Sequence, residues 1–324
     1  MRRTFGFLWL VALGAPVAAG AAEPEKFPTK VVRLVVPQTP GGASDALGRI
    51  VAQKLSERWG HQVVVENRPG AGGNIGTESV AKSPPDGYTL LLSYAGTQAI
   101  NPSLYKHLPY DAINDFQPVA TLAVVPFVLA VNPKFPAKNM GEFLALVREK
   151  PGEVNYGSAG NGSVNHLLGE MLNNAARIKL VHVPYKGAAP AITDLIGGRI
   201  QAVFSSMPSI IQHMREGSVR ALAVTSAKRS AAAPDLPTIA ESGVAGFDVN
   251  PWFGVLAPAR TPMPIVRQIN ADIAAVVKDK DTQTRFEAQG AAPLLTTPEQ
   301  FLEMLRADVA KWGAVVKASG AQLD

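Results

Sequence analysis

Short apolar runs alternate with amphipathic stretches along most of the chain. The runs are rich in Val, Leu and Ile, which is typical of strands buried in a sheet. We predict strands at Val32–Val36, Gln62–Glu66, Tyr88–Ser93, Phe127–Val131, Val154–Gly157, Leu180–Pro184, Ile200–Phe204, Val219–Thr225 and Phe253–Ala257. The amphipathic stretches predict helices at Asp45–Trp59, Gly141–Lys150, Val164–Ala176 and Ala189–Gly197. This alternation predicts βαβ units, and so an α/β fold with mostly parallel sheets.

Three helix starts carry their own signals. Asn139 is followed three residues later by Glu142, the spacing of a capping box. Thr261-Pro262 and Thr297-Pro298 each predict a capping threonine followed by proline at the first helical position. Beyond Thr297, apolar residues recur at helical spacing, and we expect this last helix to dock on the protein's own sheet.

The first residues predict a cleaved signal peptide, residues 1–22. Arg2 and Arg3 precede an uncharged run that ends in small residues, as a signal peptidase requires. The run is close to the length that spans a bilayer, so a membrane anchor is the competing interpretation. Gly14, Pro16 and the Ala-rich end favour cleavage. We therefore expect a soluble, exported protein.

Composition narrows the class of protein further. The chain has 324 residues, no cysteine and a formal net charge of +5. Absent cysteine excludes a thiol nucleophile and an acylated-cysteine anchor. The basic residues are scattered, without the aromatic-interleaved stripe expected of a nucleic-acid-binding surface. The roughly 300 residues after the signal peptide exceed what one core comfortably supports, so we expect two domains.

The first candidate site is the loop Gly41-Gly42-Ala43-Ser44-Asp45, between a strand and a helix. A helix N-terminus presents unpaired N–H donors and a partial positive charge, which suit an anion. The alternative is a tight turn in which Ser44 caps the helix. No Gly-Lys-Ser/Thr follows, so a nucleotide phosphate loop is not indicated.

A second glycine-rich segment, Asn67–Glu78, resembles a dinucleotide fingerprint but fails on spacing. After Gly70 and Gly72, the third required glycine falls on Ile75, and Gly76 is one position late. We interpret it as a structural turn that packs the following helix closely and borders a cleft.

The segment Asn155–Glu170 is dense in small and polar residues. Ser158 lacks the glycine two positions before it that a nucleophile elbow needs. His166 lies one helical turn from Ser163 and could act as its base, and His166 with Glu170 shares a face that could hold a metal. Neither arrangement has further partners in the sequence, so hydrolysis and metal binding are the weaker interpretations.

A third segment, His182–Arg199, again places a strand end before a helix start. Lys186 in its turn could contact an anion or face solvent, and we favour solvent. Phe204–Ser209 adds a further strand end with small hydroxyl residues. Loops of this kind meet at the strand ends of open parallel sheets, where ligands bind. Donor-rich, charge-poor loops favour a small carboxylate that is held rather than transformed, with no metal or cofactor.

Five stretches resemble the Bug-type solute receptors of tripartite tricarboxylate transporters. They are "RLVVPQTPGGASD", "VVVENRPGAGGNIGTESVAKSPPDGYTLLL", "NYGSAGNGSVNHLLGE", "VHVPYKGAAPAITDLIGGR" and "ALAVTSAKRS…PDLPTIAESG". The resemblance runs over nearly all of the chain after the signal peptide. Motifs of this length and order are specific to the family.

The resemblance implies a two-domain α/β periplasmic binding protein of the Venus-flytrap kind, type II-like, with doubly wound sheets joined by two crossover strands. Domain 1 would comprise residues 23–124 plus 252–324, and domain 2 residues 125–251, with the ligand cleft between them. It also implies a receptor rather than an enzyme. A carboxylate would bind as the domains close and pass to large and small membrane subunits. We expect a monomer.

The same resemblance assigns the binding residues to two walls. The first wall comprises Pro37, Gln38, Thr39, Gly41, Gly42, Ser44, Asp45, Tyr94 and Thr97. The second comprises Ser158, Ala159, Asn161, Ser163, Tyr185, Gly187, Ala188, Ser205 and Ser206. In the family, backbone amides, small hydroxyls and water meet the carboxylate.

Two departures from the family pattern bear on the ligand. Many members have Asp-Asn where this chain has Ser205-Ser206, which removes a partner for a ligand ammonium. Gln38 replaces a frequent aromatic residue, so we expect a more polar entrance. We expect a di- or aromatic carboxylate without an amino group. A ligand-binding partner of a membrane sensor kinase is the alternative function, and a serine hydrolase a weaker one.

Overall fold

Two β-sheets with helices packed on them form the protein in this computed structural model. The structure describes Met1 and residues 27–324, so the predicted signal peptide beyond Met1 lies outside the described residues. The strands are β1 (Val32–Val36), β2 (Val63–Asn67), β3 (Thr89–Tyr94), β4 (Phe116–Val124), β5 (Phe127–Val131), β6 (Asn155–Ser158), β7 (Val181–Pro184), β8 (Ala202–Ser206), β9 (Arg220–Val224), β10 (Trp252–Pro258) and β11 (Ala292–Pro293).

The helices occupy most of the connections between strands. They are α1 (Ala43–Trp59), α2 (Asn74–Ala81), α3 (Asn101–Leu104), α4 (Met140–Glu149), α5 (Val164–Ala176), α6 (Ala188–Ile196), α7 (Met207–Arg215), α8 (Met263–Lys278), α9 (Lys280–Ala288) and α10 (Pro298–Ser319). None of the helices in the described part of the chain combines the length and apolar character needed to cross a membrane.

The first sheet has the strand order β11-β4-β10-β3-β1-β2. Strand β1 pairs in parallel with β2 and β3, whereas β10 is antiparallel to both β3 and β4. The second sheet has the order β7-β6-β8-β5-β9, with β6 parallel to β7 and β8, and β5 antiparallel to β8 and β9. The predicted α/β class is confirmed. The expectation of mostly parallel sheets is wrong, because four strand pairings in the described part of the chain are parallel and five are antiparallel.

The chain passes between the sheets twice. It leaves the first sheet after β4 and enters the second at β5, and it returns between β9 and β10. The two connections touch, because the Val125 N–H donates to the Pro251 carbonyl over 3.0 Å. The exact domain limits stay a prediction, but two adjacent connections are the arrangement that allows a hinge.

Each predicted strand has an observed counterpart whose ends shift by at most two residues, and α5 has the predicted bounds. The long strand β4 is missing from the prediction, because Pro118 argues against a strand there. The structure accommodates it with irregular register beside β10, where Pro118 faces Leu256. The short β11 pairs with the same strand and carries no pattern of its own.

The last helix docks as its spacing predicts. Phe301, Leu305, Trp312 and Val316 of α10 are buried in a core cluster that also includes residues of both sheets. The Trp252 indole donates to Asp308 of the same helix over 2.6 Å, which ties α10 to β10. Helix α10 thus covers the first sheet rather than offering an apolar face to a partner.

The predicted helix starts have different outcomes. Asn139 caps α4 by accepting from the Glu142 N–H, and Thr297 with Gln300 forms a complete capping box on α10. The expected cap at Thr261 is wrong, because α8 begins one residue later, after Pro262. The Thr261 hydroxyl donates instead to the Pro258 carbonyl, over 2.7 Å, and closes the preceding turn.

Replacing Thr297 with alanine is expected to lower the free energy of unfolding by about 1 kcal/mol, since the hydroxyl satisfies an otherwise free N–H of α10. Urea denaturation followed by circular dichroism measures the change. Thr297→Ser keeps the hydroxyl and serves as the control. Equal stability of the alanine variant and the native protein would show that the box contributes nothing.

Candidate functional site

A cavity of about 410 Å³ lies between the two sheets, at the carboxyl ends of their parallel strands. This volume is in the range of small-molecule sites. The described residues that line it are Pro37, Gln38, Thr39, Gly42, Ala43, Ser44, Pro69, Gly70, Ala71, Gly72, Gly73, Tyr94, Gly96, Asn101, Leu104, Tyr105, Phe127, Ala159, Asn161, Gly162, Ser163, Asn165, Lys186, Gly187, Ala188, Ser206, Ser209 and Phe253.

The N-terminus of α1 opens onto the cavity without a side-chain cap. Gly42 is its N-cap, in extended conformation, and no described side chain accepts from the first turn. The alternative in which Ser44 caps the helix is therefore wrong, since Ser44 lies inside the first turn. The free N–H groups and the helix dipole favour an anion at this end of the cavity.

Asp45 stabilises the loop that precedes α1. It is buried, and its carboxylate accepts from the Gly41 N–H over 3.0 Å and from the Arg49 guanidinium. Burial disfavours the charged form, but these hydrogen bonds outweigh it and lower the pKa of Asp45. Because Arg49 balances the charge, Asp45 orders the loop without repelling an anion in the cavity. Neither Gly41 nor Asp45 is among the lining residues.

Gln38 and Thr97 form a polar pair on the same wall. The Gln38 amide nitrogen donates to the Thr97 hydroxyl over 2.9 Å, and Thr97 is fully buried behind the cavity surface. Gly73 makes room for the pair, because a Cβ there would lie 2.9 Å from the Thr97 hydroxyl. Gln38 lines the cavity, whereas Thr97 holds Gln38 in place.

Tyr94 supplies an aromatic surface and a hydroxyl. Its ring stacks on Phe253 with centroids 5.6 Å apart. A Cβ at Gly96 would collide with the Tyr94 ring, so the ring depends on that glycine. Burial, together with nearby Tyr105, raises the pKa of Tyr94 to about 12, and the hydroxyl is neutral at physiological pH. A neutral phenol can donate a hydrogen bond to a carboxylate.

The turn from Gly70 to Gly73 borders the cavity, as its sequence predicts. The close packing of the next helix is also present, because a Cβ at Gly76 would lie 2.6 Å from the Arg68 carbonyl and 2.8 Å from Pro37. This turn brings α2 against the end of β1.

On the opposite wall, two more helices begin at the cavity without side-chain caps. Gly187 precedes α6 with a φ of 145°, a conformation that favours glycine. Ser206 precedes α7, and its hydroxyl lies 2.9 Å from that of Ser209. The two helix starts lie across the cavity from that of α1. In α7 the Met207 N–H already donates to the Pro126 carbonyl over 3.0 Å and Pro208 has no N–H, so the Ser209 N–H is what its first turn leaves for a ligand. On this wall, free N–H groups therefore approach a ligand mainly from the start of α6.

The remaining wall residues of the prediction lie behind the cavity surface. The Tyr185 hydroxyl donates to Asp194 over 2.9 Å and braces α6. Ser205 is buried, and its hydroxyl has no partner among the described residues. Ser158 is also buried and supports the loop that follows it. These three residues do not line the cavity.

The loop 158–163 carries Ala159, Asn161 and Ser163 to the cavity. Ser163 caps α5 by accepting from the His166 N–H, and its hydroxyl donates to the Gly160 carbonyl. Gly162 meets the first wall directly, since a Cβ there would collide with Leu104. Leu104 is itself buried, so the walls are in contact at this point.

The pairing of Ser163 with the His166 ring is wrong. Ring atom Nδ1 of His166 accepts from the Gly162 N–H over 3.0 Å, so it cannot serve Ser163 as a base. Ser158 instead contacts His182, with 2.6 Å between Oγ and Nε2. That hydroxyl is buried and already bonded to Gly160, so it is not presented to a substrate.

Lys186 is the lining residue that the sequence interpretation assigned to solvent. It is exposed, yet it borders the cavity. Among the described lining residues it alone carries a charged side chain. The only sequence signal that could have identified Lys186 as a lining residue is its position just before a helix. That signal suits a solvated loop lysine equally well.

A family model described as "Tripartite tricarboxylate transporter family receptor" matches residues 47–321 of this chain. The chain belongs to this family. The described residues of this receptor contain no group of three His, Asp or Glu placed to hold a metal.

Individual relatives cover nearly the whole receptor. It is 38% identical over 318 residues to BugT of Bordetella pertussis, an alignment covering 98% of this chain and 96% of BugT. A structure of Rpa4515 of R. palustris with adipate is 38% identical, covers 92% of this chain and 100% of that one, and has a TM-score of 0.87. MatC of Rhodopseudomonas palustris with bound malate is 32% identical, covers 90% and 100%, and has a TM-score of 0.80.

A solved structure of the periplasmic binding protein BugD is 37% identical, covers 91% of this chain and 99% of that one, and has a TM-score of 0.83, so the predicted fold class is confirmed. The family and its solved members are solute-binding receptors, which confirms the prediction of a receptor rather than an enzyme.

Proposed function

We propose that this receptor binds a small carboxylate without an amino group between its two walls, closes over it and delivers it to membrane transporter subunits. The observation that carries the proposal is the pair of uncapped starts of α1 and α6 on the two walls of one cavity, to which α7 adds the Ser209 N–H. Their free N–H groups suit carboxylate oxygens.

The charge of the lining supports an anionic ligand without an ammonium group. Lys186 is cationic, and no Asp or Glu lines the cavity among the described residues. An ammonium group would be desolvated there without a carboxylate partner, which is costly. The adipate of Rpa4515 and the malate of MatC are carboxylates of this kind.

Closure follows from the division of the site between two walls. A ligand that touches both walls gains contacts only when they approach, so its differential affinity favours the closed form. The contact between Leu104 and Gly162 is one that opening would break. Delivery to membrane subunits rests on the family to which the chain belongs.

A panel of acids tests the binding proposal. We expect adipate, malate or an aromatic carboxylate to raise the melting temperature, since saturation at 100 times Kd stabilises the native state by about 2.7 kcal/mol. Calorimetry then measures Kd. Adipamide, which lacks the carboxylates, is the matched control and should not bind. Tight binding of aspartate or glutamate, with none of the amine-free acids, would contradict the proposal.

A further inference from the structure

A pair of histidines lies directly behind the loop 158–163. The rings of His166 from α5 and His182 from β7 stack with their centroids 3.9 Å apart. The sequence gives no sign of this pair, because His182 reaches its place only through a long-range contact. The parallel pairing of β6 with β7 puts it beside Tyr156. Neither ring lines the cavity, and neither has a role in the binding proposed above.

Each ring holds one part of the loop. His166 Nδ1 accepts from the Gly162 N–H over 3.0 Å. His182 Nε2 lies 2.6 Å from the Ser158 hydroxyl, which also accepts from the Gly160 N–H over 3.0 Å. The loop is therefore anchored at both ends by imidazole nitrogens.

The hydrogen bond to Gly162 requires a neutral His166. A nitrogen that accepts cannot carry a proton, so the proton of the neutral ring lies on Nε2, which is 4.0 Å from Glu170. Protonation of Nδ1 would turn it into a donor facing another donor. The Gly162 N–H would then lose its acceptor.

The surroundings of the pair oppose its protonation. Burial lowers the pKa of His166 despite the nearby Glu170 carboxylate. Burial and the adjacent His166 lower the pKa of His182 to about 4. Among the described residues, Tyr156 of β6 is a further ionisable group that packs on the His182 ring, and its hydroxyl donates to Glu170 over 2.9 Å. Two charged rings in stacking contact would also repel each other.

We propose that His166 and His182, as a neutral stacked pair, are positioning residues that hold the loop 158–163 in its ligand-binding arrangement, so that protonation of His166 weakens binding. The inference rests on the proposed binding function, because this loop forms part of the second wall. The loop also contacts the first wall, since Gly162 is the residue that contacts Leu104.

The direction of the pH dependence follows from the required charge state. Affinity is full while both rings are neutral and falls as the pH drops through the lowered pKa of His166. We therefore expect constant affinity from pH 8 to about 6.5, the ordinary histidine pKa, and a loss at more acidic pH.

The test compares two replacements of His166, with adipate as the probe. The amide oxygen of His166→Asn can accept from the Gly162 N–H without titrating, whereas His166→Leu cannot accept at all. We expect adipate affinity at pH 7.5 to fall about 10-fold in the leucine variant and to stay within about 3-fold in the asparagine variant. At acidic pH, the asparagine variant should retain more of its affinity than the native protein. His107→Asn, at an exposed site, is the control and should follow the native profile.

Nuclear magnetic resonance on the ligand-free native protein gives a readout that a purely structural role would not move. The ring nitrogens of His166 should show the Nε2–H form at neutral pH, and the Gly162 amide shift should titrate with the same midpoint as that ring. Equal adipate affinity of the leucine and asparagine variants, or a Gly162 amide that ignores the ring titration, would overturn the inference. If adipate fails to bind the native protein, the choice of ligand is wrong, while the amide titration still decides the role of the histidines.

Discussion

Replacing Gly42 with valine is expected to weaken carboxylate binding at least 100-fold, or by about 2.7 kcal/mol, while the fold survives. Gly42 lines the cavity at the uncapped start of α1. Two methyl groups there would occupy the space through which a carboxylate reaches the free N–H groups of the helix. The loss should therefore fall on affinity and not on stability.

The backbone at Gly42 tolerates a side chain. Its φ of −88° and ψ of 177° suit a β-branched residue, and an added Cβ would lie 3.9 Å from the nearest neighbour, the Thr39 carbonyl.

Calorimetry with the best acid of the panel measures the affinity, and circular dichroism confirms the fold. Gly141→Val, at an exposed position outside the cavity, is the control. Normal binding by the Gly42 variant would remove this loop from the site.

The sequence allowed the strands and the orientation of the site to be predicted because both depend on local pattern. Apolar runs identify β1 and β8, and the turn residues after them identify where helices begin. In parallel sheets these turns share one edge, so Gly42 and Ser206 could be expected on one cleft. Neither conclusion needs knowledge of distant contacts.

The features that escaped prediction depend on contacts between distant residues. His182 reaches Ser158 only through the pairing of β6 with β7. Leu104 meets Gly162 across two different sheets, and nothing near either residue in the sequence signals it. The cap at Thr261 failed for a different reason, because its hydroxyl found a closer acceptor in the preceding turn.

The contact between the walls makes Gly162 the second position of large expected effect. Gly162 has a φ of 71°, where a side chain costs about 1–2 kcal/mol, and an added Cβ would collide with Leu104. Leu104 is buried and has little room to move. Gly162→Ala should therefore push the walls apart and lower carboxylate affinity by at least about 10-fold, in addition to reducing stability. Calorimetry and urea denaturation measure the two effects.

Gly217→Ala separates strain from collision. Gly217 has nearly the same φ, 70°, but no atom of the residues that the structure describes lies within 4 Å of an added Cβ. Its alanine variant should lose stability through backbone strain alone and bind the acid normally. A double variant, Leu104→Ala with Gly162→Ala, removes the collision and should bind more tightly than Gly162→Ala alone, because the walls can again approach. If Gly162→Ala binds as the Gly217 variant does, the contact between the walls is not part of the ligand-bound form, and closure must depend on other residues of the cleft.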